Sequence, residues 1–449
     1  MNMNRIFHIA LMVLLTVAVS GCLKSAPKDE AVTIRIIGDG DEKSFYYNYG
    51  SDFNAKYPDI QLDFVSYQTM EQGQTIEQFV SANHPDILIA SSELSYRRLS
   101  NDGLLMALDP LIKRDRYDTS TISTAVIDLL RSTDDDKLYG LSPYFNNNAI
   151  FYNEDLFRNR NIPIPQDNMT WEDLLRLAER FTDDSEMDGL SLNMSSMSSS
   201  INSLASLFVQ MGNAQGLKLG AVKSQELLIG SDSWKKIAES IVESHQSGAI
   251  YAYNNTNVLL PPDEAVRQSR FATGKSAMTI GDISMMSVVD RTVFPVDDVK
   301  PIHYGMVKVP VDPIRPDIGL NNHLELVLCI YSKTKHKDAA WEFVKYMNSE
   351  DYAKLKSKST FYRLLSRTQQ MKEFAGKSLE AFYSQHADPD VDVYSGLQPQ
   401  VYRAILQIID RNLIAASKKG KTVEEALADA ASEGNKLIRE FAQSEANPK

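Results

Sequence analysis

Cysteine is nearly missing from this chain. Its two copies, Cys22 and Cys329, offer no zinc-ligand spacing. Cys329 sits in the apolar run Leu326–Ile330 and reads as a small buried hydrophobe. The seven histidines are scattered singly, so neither a metal nor another cofactor is expected. Basic residues are outnumbered: Lys and Arg total 47 against 59 Asp and Glu, a formal net charge of −12. An acidic surface argues against nucleic acid, which requires basic patches. Beyond the first residues, no segment reaches the ~18 consecutive apolar residues of a membrane span.

Catalytic motifs are missing too. There is no Walker A, HExxH or GxSxG pattern. Ser233–Lys236 and Ser332–Lys335 fit SxxK but lack the SDN and KTG partners, and read as solvated surface. Asp184–Gly189 opens like an EF-hand loop, yet Ser195 stands where a bidentate Glu is needed, so an acidic turn is the reading. Asp39, Glu93, Asp282 and Glu325 offer carboxylates to a cleft, but no spacing pairs them for acid–base or nucleophilic work. An enzyme is not expected.

What is present is an ordinary globular composition, 43% hydrophobic and 24% charged over 449 residues. Such a chain suits two or three domains. Val32–Ile37, Ile60–Val65 and Pro85–Ala90 read as strands, separated by a helix over Phe45–Tyr57 capped by Ser44 and another over Ile76–Ala82. Strand–helix–strand spacing of this length implies parallel crossovers in an α/β sheet. Ligands of such sheets bind beyond the carboxyl ends of the strands. Two loops leave such ends, Gly38–Glu42 and Ser91–Ser95.

Further strands are expected at Asp188–Leu192, Phe271–Gly281 and Tyr304–Pro310, and helices at Ile201–Met211 and Ser233–His245. Leu324–Ile330 is almost fully apolar, as buried parallel strands are. Trp171 and Trp341 read as packing residues, and Trp234 as the opening of a surface helix. The tail is helical, from Pro399 and again over Val423–Ala442.

One stretch organises the rest. Leu138–Leu141 enters as a strand, Ser142–Asn148 is a polar, aromatic loop, and Ala149–Tyr152 is a second extended segment. Thr170 then caps a helix, with Asp173 in the place of the capping-box acid. Two extended segments around a loop rich in asparagine suit a chain crossing between lobes. A return crossing is read near residue 308.

The same stretch carries a family resemblance. Leu138-Tyr139-Gly140, Pro143, Phe151–Phe157 and Thr170–Leu174 resemble the extracellular solute-binding proteins of ABC importers, in the family that includes the maltose- and oligosaccharide-binding proteins. Asp102–Leu105, Phe271–Gly281 and His336–Tyr346 continue the likeness in order. It implies an α/β fold of two discontinuous lobes, each a mostly parallel sheet flanked by helices. The N-terminal lobe is expected over 32–142 and 309–347, and the C-terminal lobe over 143–308 and 348–449.

The first residues read as a signal peptide, 1–21, with the apolar core Ile6–Val19 behind Arg5. Val19–Cys22 resembles the lipobox of bacterial lipoproteins, which implies cleavage before Cys22, lipidation of its sulfur and a tether over 22–31.

The resemblance implies a monomeric receptor, anchored on the extracytoplasmic face of the cell membrane, that closes its lobes on a small polar solute. A sugar or oligosaccharide delivered to permease subunits is the leading expectation. Presentation of the ligand to a membrane sensor kinase is the alternative, and an extracellular hydrolase the more remote one. The expected contacts are Asp39, Ser91, Ser92, Glu93, Tyr144, Asn146, Asn147, Ser195, Asp282, Asn321, His323 and Tyr362, with Tyr144 foremost as a stacking or hydroxyl-bearing group. Sugar-binding relatives often place an aromatic after the strand ending at Gly281 and near Ser195–Ser200. This chain has none at either place, which weighs against a long glucan.

Overall fold

In the computed structural model, residues 31–131, 135–183, 185–192, 201–221, 226–253, 260–290, 295–360, 362–388 and 397–446 are described. Val32–Gly38 alternates until Ile36 and Ile37, then buries both faces, as a central strand must. It pairs in parallel with Ile60–Ser66 on one side and Ile87–Ala90 on the other. Val327–Ile330 follows and Gly140–Leu141 closes the sheet. A second five-stranded sheet has the order Ile250–Tyr251, Asp188–Ser191, Ser276–Gly281, Ala149–Asn153, Tyr304–Lys308.

The two sheets share one plan. Each begins with three parallel strands. Each then takes a reversed strand, Val327–Ile330 in the first and Ala149–Asn153 in the second. Each ends on a strand antiparallel to the reversed one. The reversed strand is always the one that has just arrived from the other sheet. Leu324–Ile330 was expected to be parallel. Its core, Val327–Ile330, is fully buried but antiparallel to both neighbours. Burial on both faces produces an apolar run whichever way the strand points.

The Ser142–Asn148 segment is not a loop. Tyr144–Asn146 is the central strand of a small sheet, antiparallel to His323–Leu324 and to Leu364–Leu365. The two crossings therefore pair with each other, and every residue from Gly140 to Asn153 is buried. A buried crossing must have its backbone groups bonded, and the ladder supplies the partners.

Helix starts follow local chemistry. Thr170 and Asp173 form the expected capping box on Trp171–Glu179, an arrangement worth ~1 kcal/mol. That helix buries Trp171, Leu174, Leu175 and Ala178. The first helical segment is capped by Asp41 rather than Ser44. Asp41 Oδ1 accepts the Ser44 N–H at 2.9 Å, since the carboxylate is the stronger acceptor. The helix expected at Ile201 begins after Ser203, whose hydroxyl accepts the Ser206 N–H. Trp234 does not lie on the surface: it is 1% exposed, with its ring 4.5 Å from that of Phe208.

Two cores form. Among the described residues, one surrounds the first sheet, reaches Phe151 and Tyr304 of the second, and includes Tyr352, Leu364, Leu365 and Phe382. The other surrounds the second sheet and takes in the helices Pro399–Ser417 and Val423–Ala446 through Ile405, Ile409, Ala426 and Leu427. Residues 350–387 meet both sheets: Tyr352 and Leu364 pack in the first core, while the Phe382 ring lies 6.2 Å from that of Phe151 and Lys377 donates to the Tyr304 carbonyl. Leu364–Leu365 joins the small sheet of the crossings, which we call the hinge.

Gly189 shows how close the second layer lies. A Cβ there would collide with the backbone of Ala178 on Trp171–Glu179. Neither backbone moves cheaply in a packed interior. Gly189→Ala is expected to lower stability by about 1–3 kcal/mol, read as a fall in the urea midpoint at unchanged slope. A midpoint equal to the parent's would refute this account of helix–sheet contact.

Candidate functional site

Three of the expected loops can be placed at strand ends. Asp39 follows Val32–Gly38 and is exposed. Ser91 follows Ile87–Ala90 and is exposed, while Ser92 caps the helix Glu93–Asn101 by accepting the Ser95 N–H. Asp282 follows Ser276–Gly281 and is 4% exposed. Its Oδ1 accepts the Ser284 N–H at 2.9 Å, a local turn that opens the helix Ser284–Asp290.

Glu93 reaches furthest. It is the first residue of its helix, and its carboxylate accepts the Leu324 N–H on the return crossing. Burial pushes its pKa up, opposed by the neighbouring His323 and by the Leu324 N–H. The first sheet's helix layer is thereby tied to the hinge.

The hinge floor is built of amides. Asn146 Nδ2 donates to Glu325 Oε1 at 3.1 Å, and Glu325 Oε2 pairs with Arg363 at 2.9 Å. Asn147 Nδ2 donates to the Phe382 carbonyl at 2.8 Å. His323 lies opposite Asn146 in the ladder, and its Nδ1 meets the Asn321 carbonyl at 3.0 Å. Glu93, Asn146, Asn147, Asn321 and His323 are thus brought to one place. Tyr362 lies 39% exposed on its rim, its ring under the Arg363 guanidinium at 5.1 Å. Ser195, like Cys22, lies outside the described residues.

Tyr144 differs most from expectation. It is 4% exposed, its hydroxyl meets that of Tyr352 at 3.2 Å, and Arg363 covers its ring at 5.5 Å. In this conformation it is a packing residue, because the strand that carries it is the middle one of three.

Other polar groups escaped the sequence reading. Asn148 Nδ2, Asn322 Oδ1 and both amide atoms of Gln385 are buried without a protein partner, as is Asn321 Oδ1. Asn322 and Gln385 close on Gly319, where a Cβ would meet Gln385 Oε1 at 2.8 Å and Asn322 Nδ2 at 2.9 Å. Tyr67, at the end of the second strand, is half-buried with its hydroxyl likewise unpartnered. The run of three asparagines signalled Asn148, and Asn322 adjoins Asn321, but no local pattern marks Gln385. An unbonded buried polar atom costs ~1–3 kcal/mol. Their concentration beside the crossings leaves this floor rich in uncharged donors and acceptors, the chemistry that matches hydroxyl groups.

The model of the bacterial extracellular solute-binding protein family matches residues 48–373. The chain belongs to that family. It is therefore an extracytoplasmic binding protein and not an enzyme. Among solved structures, it is similar to the sugar-binding protein MalE of Xanthomonas citri, with 15% identity and a TM-score of 0.65 over 93% of this chain and 100% of that one. A sugar transporter of Rhizobium etli in an open conformation matches with 19% identity and a TM-score of 0.62 over 90% and 99%. An ABC transporter solute-binding protein of Agrobacterium vitis with bound D-mannitol matches with 20% identity and a TM-score of 0.56 over 93% and 99%. These likenesses establish the two-lobed α/β fold. No curated protein sequence matches the chain.

The raised Glu93 pKa has a consequence for stability. Between the ordinary value of 4.5 and the raised one, the unfolded chain releases this proton while the folded chain keeps it. Stability from this group is complete below that window and falls as pH rises through it. Glu93→Gln keeps an oxygen for the Leu324 N–H and has nothing to titrate. Its urea-unfolding free energy should rise relative to the parent's as pH goes from about 4 to about 8. Parallel curves for the two proteins would refute it.

Proposed function

We propose that this chain is the substrate-capturing subunit of an ABC importer, and that its solute is an uncharged, hydroxyl-bearing molecule, a sugar, polyol or oligosaccharide. The paired crossings carry the reading: two sheets of like plan, joined by a hinge whose buried side is lined with amides. Solute held between the lobes stabilises the closed form, which is then the form a permease receives. The relative with bound D-mannitol supports the ligand class. Asn146, Asn147, Asn321, His323 and Glu93 form the hinge side of the proposed site. Asp39, Ser91, Ser92, Asp282 and Tyr362 are proposed to approach it from the strand ends and rim.

A thermal-shift panel of maltose, D-mannitol and D-tagatose against the full chain tests the ligand class. Saturation at ~100 times Kd should add ~2.7 kcal/mol of stability, a clear rise in Tm for at least one member. A flat response across an extended set of sugars and polyols, with a rise for a charged metabolite instead, would overturn the proposal.

We also propose that a monomer is held on the extracytoplasmic face by acylation of Cys22 after cleavage of 1–21. Several acyl chains hold a protein firmly where one does so only marginally. Mass spectrometry of the mature N-terminus should find lipid on Cys22, and Cys22→Ser should leave the membrane fraction. Membrane recovery of Cys22→Ser with the parent's processed N-terminus would sink the assignment.

A further inference from the structure

Behind the hinge, under Pro143, three segments of the first sheet's core meet. They are the end of the helix Lys337–Met347, the start of Glu350–Lys356, and the residues following Leu364–Leu365. Their donors are largely spoken for. Asn348 Nδ2 donates to the Val344 carbonyl at 2.8 Å, and Arg367 Nε to the Asn348 carbonyl at 2.9 Å. The Ser366 N–H donates to the Pro143 carbonyl at 2.9 Å, which fixes the first crossing to this wall. Two side-chain atoms remain: Asn348 Oδ1 and Ser366 Oγ are buried without a protein partner, on residues 3% and 2% exposed. Both residues line a cavity of about 10 Å³, together with Tyr352 and Arg367.

We propose that this cavity is a binding site for one ordered water molecule, which bridges Asn348 Oδ1 and Ser366 Oγ and so completes the anchorage of the first crossing. The volume admits a single water-sized occupant. A water donates one hydrogen to the Asn348 acceptor and exchanges a hydrogen bond with the serine hydroxyl, satisfying both groups at once. A cation would stand beside the Arg367 guanidinium, which is 4% exposed and donates to the Asn348 carbonyl and to Thr121 Oγ1. An anion would face the lone pairs of Asn348 Oδ1. An apolar atom would leave both polar groups unbonded, at ~1–3 kcal/mol each. Water alone suits every wall.

The test is a crystal structure of the full chain at about 1.3 Å, with parallel crystals grown in rubidium and in bromide salts. One peak of water density is expected, ~2.7–3.2 Å from both Asn348 Oδ1 and Ser366 Oγ, with no anomalous signal in either salt. An empty cavity, or a rubidium or bromide peak inside it, overturns the proposal. In solution, oxygen-17 relaxation dispersion counts long-lived internal waters. Ser366→Val, which fills the space and removes the hydroxyl, should lower the count by one, and an unchanged count in a folded variant also overturns the proposal. Should Ser366→Val fail to fold, the crystal measurement on the parent decides alone.

Discussion

The architecture depends on the pairing of two crossing strands, Phe145 with Leu324 and Asn146 with His323. A chain that passes twice between two sheets carries backbone groups through a buried region, where each unpaired N–H or C=O is costly. Laying the crossings side by side, with Leu364–Leu365 on the outer edge, satisfies them mutually. Strand direction in both sheets follows. A segment leaving the hinge enters the next sheet at the end it has just faced and must run away from it. Ala149–Asn153 and Val327–Ile330 are therefore antiparallel to their neighbours. The parallel strands run the other way, so their carboxyl ends in both sheets point to the hinge side. Asp39, Glu93 and Asp282 occupy such ends.

That arrangement sets the electrostatics of the region. A carboxylate drawn into the interior loses hydration, and Glu93 accepts that cost in exchange for the Leu324 N–H. Glu325 is treated differently. It lies between the Asn146 amide and the Arg363 guanidinium, which also donates to the Tyr49 hydroxyl at 3.0 Å. One acid is held by a backbone dipole and the other by a full positive charge, and both fasten the hinge to the first sheet's side. The second sheet has a comparable tie in Lys377, which donates to the Tyr304 carbonyl at 2.7 Å.

Much of this was legible in the sequence because it is local. The Thr170–Asp173 box and the buried Cys329 follow from residues within a few positions of one another, and the three parallel strands of the first sheet from the short helical crossovers between successive strands. Strand direction was not legible for Leu324–Ile330, since full burial gives one apolar pattern for either orientation. Nor was the fate of Tyr144. Its environment is made by Tyr352 and Arg363, some two hundred residues away, and by a ladder partner, Leu365, with no motif of its own. Gln385 is the limiting case: a lone amide reaches Gly319 only because Ile318–Gly319 pairs with His386–Ala387.

The three asparagines after Phe145 combine both kinds of information. In sequence they suggest groups offered to a ligand. In the structure two of them first serve the backbone. Asn146 Oδ1 accepts the Asn147 N–H at 3.1 Å, and Asn147 Oδ1 accepts the Asn148 N–H at 2.8 Å. The ladder ends at Asn146 and the next strand begins at Ala149, so side chains stand in for the missing strand partner over that gap. Such short local bonds hold the backbone without fixing it to a neighbouring strand. Asn147 is held further by its Nδ2, which donates to the Phe382 carbonyl. Asn148, whose Nδ2 alone of the three amide groups has no partner, stands in that gap with a donor to spare.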